Sequence, residues 1–274
     1  LLQMKIFQNK KKLIKEILGI DNIAFIPTMG ALHKGHISLI NKAKKKSNKV
    51  LVSIYINPKQ FNTQNDFKKY PRKLNKDIKC LKNLKINYLY VPNNKDMYSF
   101  KTKKKIHLDN FSRILCGKFR PNHFKGVINV INRFLEIIKP KYLYLGIKDL
   151  QQLMLIKSHI IKNKIKTHVV PCATIRSANG VALSSRNSKL NKNQLRLAEK
   201  IYRFIKNNKK IILSKNLNKK KLEVTNKLIQ IGANKVDYIE CVNLDKKKIC
   251  VSSMSKFNVF VAYYLGKIRM IDNL

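Results

Sequence analysis

Short apolar runs alternate with longer amphipathic stretches along the first two-thirds of the chain. IAFIP (23–27), VLVSIYI (50–56), NYLYVP (87–92), YLYLG (142–146) and KTHVVP (166–171) predict buried strands. The segments near 36–46, 72–84, 126–138 and 149–162 predict helices between them. Strand then helix, repeated, implies a parallel sheet covered on both faces. All seven prolines fall between 27 and 171, several at the ends of these runs, where a missing N–H is harmless.

Beyond about residue 186 the texture changes. Two helical stretches (192–208 and 217–231) precede the apolar runs VDYIECVN (236–243) and FNVFVAYYLG (257–266), an α+β pattern. The expected architecture is an α/β parallel-sheet domain over 1–175 and a smaller α+β domain over 176–274. No internal repeat and no Pro- or Ser-rich linker separates them, so they are expected to pack closely.

Composition changes this picture little. The 274 residues are 44% hydrophobic, with 12 Phe and 11 Tyr, a globular make-up. The opening segment LLQMKIFQNKKKLIKEIL is charged throughout and lacks a signal-peptide core, and no apolar stretch is long enough to cross a bilayer. Five cysteines (80, 116, 172, 241, 250) show no CxxC pair and no zinc spacing with histidine. The expectation is a cytoplasmic chain with reduced thiols and no membrane partner. The net charge of +45 would suit a nucleic-acid binder, yet only nine of the 59 basic residues are arginine. The lysines are spread out, with KKK at 10–12, 44–46, 103–105, 219–221 and 246–248, and abundant Asn and Ile match the composition of AT-rich genomes. No specific nucleic-acid partner is expected.

Open parallel sheets bind ligands beyond the carboxyl ends of their strands. TMGALHKGH follows the run 23–27, NPKQF (57–61) follows 50–56, GIKDLQQL (146–153) follows 142–145, and RSANGVALSSRN (176–187) follows 166–171. Four loops would converge on one edge. Neither GxxxxGK[ST] nor GxGxxG occurs. In HKGH the glycine permits close backbone approach, a helix beginning near His36 would offer unpaired N–H groups to an anion, and His33 and His36 at i and i+3 share a face. Lys148 could meet phosphate, or be a solvated surface charge. Asp149 could hold a ribose hydroxyl or Mg²⁺, or cap the helix beginning at 150. Ser184, Ser185 and Arg186 suit phosphate oxygens, or a capped turn. Gln60 and Gln152 carry neutral amides that could hold a carboxylate while leaving it nucleophilic, or be ordinary polar loop residues.

In order along the chain, PTMGALHKGH (27–36), INPKQF, YPR (70–72), RPNHFKGVINVINRF (120–134), GIKDLQQL, ALSSRN and the tail FVAYYLGKIRMIDN (260–273) resemble the pantothenate synthetases, the ATP-dependent pantoate–β-alanine ligases. HxGH is shared with other nucleotidyltransferases and some aminoacyl-tRNA synthetases; NPxQF, KDxQQL and LSSRN are more specific. The resemblance implies a Rossmann-like N-terminal domain, a C-terminal domain acting as a lid, and a cytoplasmic homodimer. It implies that pantoate's carboxylate attacks the α-phosphorus of ATP, with Mg²⁺ present, and that the amine of β-alanine then displaces AMP to give pantothenate. Carried over by motif position, Met29, Gly30, Ala31, Leu32, His33, Lys34, Gly35 and His36 line the ATP site. Gly146, Ile147, Lys148, Asp149, Ile175, Leu183, Ser184, Ser185 and Arg186 join them. His36 is then the proton donor, with His33 and Lys148 as its catalytic companions. Gln60 and Gln152 bind pantoate, and Gln60 also lies near β-alanine. No side chain is assigned to Mg²⁺.

One departure is visible: the family often has Asp before Gly where this chain has Asn179, a residue that also suits a turn before Gly180. Two other readings stand beside the resemblance. Another HxGH nucleotidyltransferase would keep the nucleotidyl group on its product, and a non-catalytic RNA-binding protein would rest on charge alone.

Overall fold

Six parallel strands form the larger sheet: β1 (Lys5–Phe7), β2 (Ile23–Thr28), β3 (Lys49–Ile54), β4 (Tyr88–Tyr90), β5 (Tyr142–Gly146) and β6 (His168–Cys172). Their order across the sheet is β1-β4-β3-β2-β5-β6. The computed structural model describes residues 3–212, 217–249 and 257–274, so Cys250 and the segment that follows it up to 256 lie outside it. Contacts divide the chain into two compact units, residues 1–112 with 120–173, and residues 113–119 with 174–274. The return of 113–119 to the second unit is a feature that the boundary expected near 175 did not contain.

The strand order places a topological switch point at β2. From β2 the chain steps to β3 on one side, while β5 lies on the other, both parallel to it. Alternate residues of β2 therefore feed two cores. Ala24 and Ile26 pack with Leu39, Ile40 and Ala43 of the helix Lys34–Lys44. Phe25 points the other way, its ring 5.2 Å from Phe134 of the helix His123–Ile138. That helix buries Phe124, Val127, Ile128, Ile131, Phe134, Leu135 and Ile138, an apolar stripe at helical spacing. It ends at Lys139, left-handed at φ +48°, because Pro140 follows.

The second sheet is antiparallel, ordered β10-β9-β7-β8, from β7 (Lys235–Asn243), β8 (Lys248–Ile249), β9 (Asn258–Leu265) and β10 (Ile268–Asn273). The helices Lys192–Asn207 and Leu217–Ile231 accompany it, and Ile201, Ile205, Leu228, Ile239, Val259, Val261 and Tyr263 form its core. β9 and β10 form a hairpin with Leu265 opposite Ile268, so only Gly266 and Lys267 make the turn. Gly266 has φ +60°, as a two-residue hairpin demands.

The fold depends sterically on two glycines. A Cβ at Gly126 would stand 2.1 Å from the Lys59 carbonyl oxygen, so only glycine lets the helix His123–Ile138 meet the 3₁₀ turn Pro58–Gln60. A Cβ at Gly180 would stand 1.9 Å from Tyr202 Cε1. At Gly146 a Cβ would meet nothing within 4 Å. Gly126→Ala is therefore expected to cost about 1–3 kcal/mol or more, read as a fall of several degrees in the thermal midpoint, whereas Gly146→Ala should leave the midpoint almost unchanged. Equal midpoints for the two variants would contradict this packing.

Candidate active site

β2 ends at Thr28, whose hydroxyl donates to the Ser53 carbonyl (2.7 Å) and accepts from the Gly30 N–H (3.1 Å). The chain then turns through two left-handed residues, Gly30 at φ +76° and Ala31 at φ +50°. The N–H groups of Ala31 and Leu32 each donate at 2.8 Å to the buried carboxylate of Asp77, one to either oxygen. The His33 N–H donates to His36 Nδ1 (3.3 Å), and the Gly35 N–H donates to His33 Nδ1 (3.1 Å). Here the expectation needs correcting. The helix begins at Lys34 with His33 as its cap, close to the start expected near His36, but the N–H groups of Gly30, Ala31, Leu32, His33 and Gly35 are already bonded, to Thr28, Asp77, His36 and His33. The motif offers an anion side chains in place of these backbone donors.

Those side chains have a defined protonation state. Each Nδ1 accepts a hydrogen bond, so each neutral ring carries its proton on Nε2. The ring centroids lie 4.1 Å apart. Burial lowers His33 from 6.5 to about 4, with the Lys148 charge acting in the same sense and Asp149 opposing. His36 is lowered to about 3, by burial first, then by His33, with Lys148 adding and Asp149 opposing. Near neutral pH the pair is thus two uncharged Nε2–H donors.

Lys148 and Asp149 reach this pair from the neighbouring strand. β5 ends at Gly146, the 3₁₀ turn Ile147–Asp149 follows, and the helix Leu150–Lys162 begins at once. Lys148 Nζ lies 3.3 Å from Asp149 Oδ1. Asp149 stands at the N-cap position, but its side chain makes no cap hydrogen bond. Of the two adjacent glutamines, Gln151 is buried and donates to the Phe111 carbonyl (2.7 Å), while Gln152 is half-buried.

Gln60 reaches the same loop from β3. Its Nε2 donates to Met29 Sδ at 2.7 Å and its Oε1 accepts from Asn57 Nδ2 at 3.4 Å. The turn carrying it is fixed by residues to which the sequence had assigned no role. His123 Nδ1 donates to the Gln60 carbonyl (2.7 Å), so His123 Nε2 is the acceptor facing Arg120 Nη1 (3.1 Å). Arg120 Nη2 also donates to the Gln60 carbonyl (3.3 Å). Asn57, 1% exposed, donates to the Gly126 carbonyl and accepts from the Tyr98 hydroxyl. The Tyr98 ring carries Lys59 Nζ at 4.0 Å and the Arg133 guanidinium at 4.6 Å. The sequence signals for these residues were the stretches INPKQF and RPNHFKGVINVINRF, and Tyr98 had none.

The structure thus brings together Met29 with Gln60, and His33 and His36 with Lys148 and Asp149. Loops after β2, β3 and β5 share the carboxyl edge of one sheet, whereas the chain after β6 passes into the second unit. There, residues 175–183 form a tight hairpin: Leu183 N–H donates to the Ile175 carbonyl and Gly180 N–H to the Ser177 carbonyl, each at 2.9 Å. Asn179 donates to Glu199 (2.6 Å), and Arg176 pairs with Asp272 through both nitrogens (2.6 and 2.9 Å). Ser184 donates to Asn187 (2.6 Å), and Ser185 opens the 3₁₀ turn Ser185–Lys189 that carries Arg186.

The histidine protonation state has a stability consequence. Both rings titrate below 6.5 when folded, so the unfolded chain binds more protons from about pH 6.5 down to about 4 for His33 and about 3 for His36. Their contribution is fully present above that window and is lost as pH falls through it. His159, lowered to about 4 by burial and then by His107, acts in the same direction. Thermal midpoints of the parent and of His36→Gln, compared at pH 7.5 and pH 5, should show a smaller acid loss in the variant. An equal loss would place the titrating groups elsewhere.

No helix of the described residues is long and apolar enough to cross a membrane, and none of their His, Cys, Asp and Glu groups forms a set of three or more placed to hold a metal ion. The sequence model of the family described as pantoate-beta-alanine ligase matches residues 4–274. The chain is 41% identical over 273 residues to the pantothenate synthetase of Francisella tularensis subsp. novicida (strain U112), covering 95% of this chain and 94% of that protein. The crystal structure of pantoate-beta-alanine ligase from Francisella tularensis, complexed with beta-gamma ATP and beta-alanine, superposes with a TM-score of 0.84 at 39% identity, covering 99% of this chain and 97% of that one. A pantothenate synthetase structure from Thermus thermophilus gives a TM-score of 0.89 at 27% identity, with 99% of each chain covered. With HxGH at the switch point, the NPKQF turn beside it and a match that spans nearly every residue, the chain belongs to the pantoate–β-alanine ligase family, the enzymes that join pantoate to β-alanine at the expense of ATP.

Proposed function

We propose that this chain runs the ligation in two steps, with the residues at the β2–β5 crevice serving the first. The carboxylate of pantoate attacks the α-phosphorus of ATP, the bond to the bridging oxygen breaks, and pyrophosphate leaves. The amine of β-alanine then attacks the pantoyl carbonyl, loses its proton and displaces AMP. Mg²⁺ would enter with the nucleotide as MgATP and offset charge on its phosphates; no side chain is assigned to it. The reading rests on the two uncharged Nε2–H donors of His33 and His36 beside Lys148. Neutral imidazoles meet growing negative charge without first having to lose a bound counter-ion, and Lys148 supplies a full charge toward the departing pyrophosphate. In this role His36 donates a hydrogen bond and is not an imidazolium acid.

Gln60 and Gln152 are the proposed holders of pantoate, because a neutral amide orients a carboxylate without lowering its nucleophilicity as a guanidinium would. Ser184, Ser185 and Arg186 with Ile175 and Leu183 are the second unit's proposed share of the ATP site, and residues 176–274 the proposed lid. Homodimerisation and a cytoplasmic location belong to the same proposal.

With ATP, Mg²⁺ and pantoate alone, labelled pyrophosphate should exchange into ATP, and free AMP should appear only when β-alanine is added. His36→Ala should slow the exchange by about 10²–10³ with little change in the KM for pantoate. Exchange that strictly required β-alanine would exclude a separate adenylate step, and a His36 variant within about threefold of the parent would remove that residue from the chemistry. Gln60→Ala should instead act mainly on pantoate, raising its KM. An unchanged kcat/KM for pantoate would return Gln60 to the ordinary polar residues.

A further inference from the structure

The turn before the histidines contains an anion hole that the protein fills itself. Successive N–H groups converging from a turn form a concavity suited to an anion, the device that cradles phosphate in other folds. Here the converging groups belong to Ala31 and Leu32, and their anion is the carboxylate of Asp77 at 2.8 Å on both sides. Asp77 is 2% exposed and sits in the first turn of the helix Leu74–Asn83, where a carboxylate also suits the helix end. The fit is close: a Cβ on Gly30 would lie 3.0 Å from Asp77 Oδ2. Ala31 holds a left-handed conformation that its Cβ disfavours, and the surrounding bonds must maintain it.

The next links in the chain are the histidines. Leu32 precedes His33, whose N–H holds His36 Nδ1 and whose own Nδ1 caps the Gly35 N–H. Whatever fixes the path of Ala31 and Leu32 therefore fixes where both Nε2–H groups point. We propose that Asp77 is a positioning residue for the ligase reaction: its carboxylate occupies the loop's anion hole, bars phosphate from it, and so leaves the nucleotide's charge to the Nε2–H groups of His33 and His36. This rests on the role given above to the histidine pair. Both oxygens are needed as acceptors. An amide at the same place would turn an NH₂ group toward one of the two N–H donors, leaving that donor opposed.

The test uses the full-length protein and two variants, Asp77→Asn and Asp77→Ala. The first measurement needs no substrate. Imidazole ¹⁵N spectra at pH 7 should show neutral Nε2–H rings for His33 and His36 in the parent, and mixed tautomers in Asp77→Asn. The second measures pyrophosphate exchange at saturating ATP, which should fall in both variants by on the order of 100-fold, the scale of a misplacement of about 1 Å. In the third, formate at tens of millimolar should restore exchange several-fold in Asp77→Ala, where room has been made for it, but not in Asp77→Asn or His36→Ala. A folded Asp77→Asn protein with parental imidazole signals overturns the proposal, as does exchange within about threefold of the parent. Loss of fold in both variants, unrelieved by formate, makes Asp77 a folding residue only and overturns it too. A parent enzyme that shows the imidazole signature but forms no pantothenate would sink the ligase reading while leaving the Asp77–histidine coupling intact.

Discussion

β2 is hydrogen-bonded on one side to β3 and on the other to β5, all three parallel, and the site follows from that pairing. Parallel strands end their carbonyl termini on a common edge, and the chain departs from β2 and β5 beside each other. The loop after β2 carries the histidine pair, the turn after β5 carries Lys148, and the turn after β3 carries Gln60. Three short pieces of sequence, far apart in the chain, reach one edge because their strands are neighbours. Loss of the β2–β5 contact would separate imidazole from lysine even with every side chain retained.

The loop then handles negative charge in an unusual way for its position. A helix start after a parallel strand ordinarily presents backbone N–H groups to phosphate. In this chain five such groups between Gly30 and Gly35 are already bonded to Thr28, Asp77, His36 and His33. These bonds rigidify the backbone and occupy those five donors, while the two imidazoles keep their Nε2–H groups at the side-chain tips. Burial keeps those imidazoles uncharged, so in a chain of net charge +45 the full positive charge that acts on both of them is that of Lys148.

Much of the first sheet was legible in the sequence, because fully buried parallel strands read as short apolar runs between amphipathic stretches. β2, β3, β4, β5 and β6 lie within a few residues of IAFIP, VLVSIYI, NYLYVP, YLYLG and KTHVVP. β1 escaped because Lys5–Phe7 is a three-residue edge strand in a lysine-rich segment, half-open to solvent. β10 escaped because Ile268–Asn273 mixes apolar and charged positions and follows its partner after a two-residue turn. The histidine pair was legible through glycine flanking and its place after a strand. Asp77 was not, since a single carboxylate 45 residues from Leu32 carries no local signal of the bonds it makes. The same holds for His123 and Arg120, whose hold on Gln60 spans about sixty positions.

The close approach at Gly126 bears on how such a sequence can change over generations. A composition heavy in Lys, Asn and Ile is the one that an AT-rich genome favours, and a solvated lysine can replace most exposed residues at small energetic cost. Glycine, with its GC-rich codons, is under the opposite pressure, and the chain retains nine. At Gly146 a methyl group finds open space, so packing alone would let the bias act. At Gly126 and Gly180 the same methyl group would overlap a carbonyl oxygen or a tyrosine ring. Mutational drift can recolour the outside of this molecule freely, but at those two positions it meets a wall a few tenths of a nanometre away.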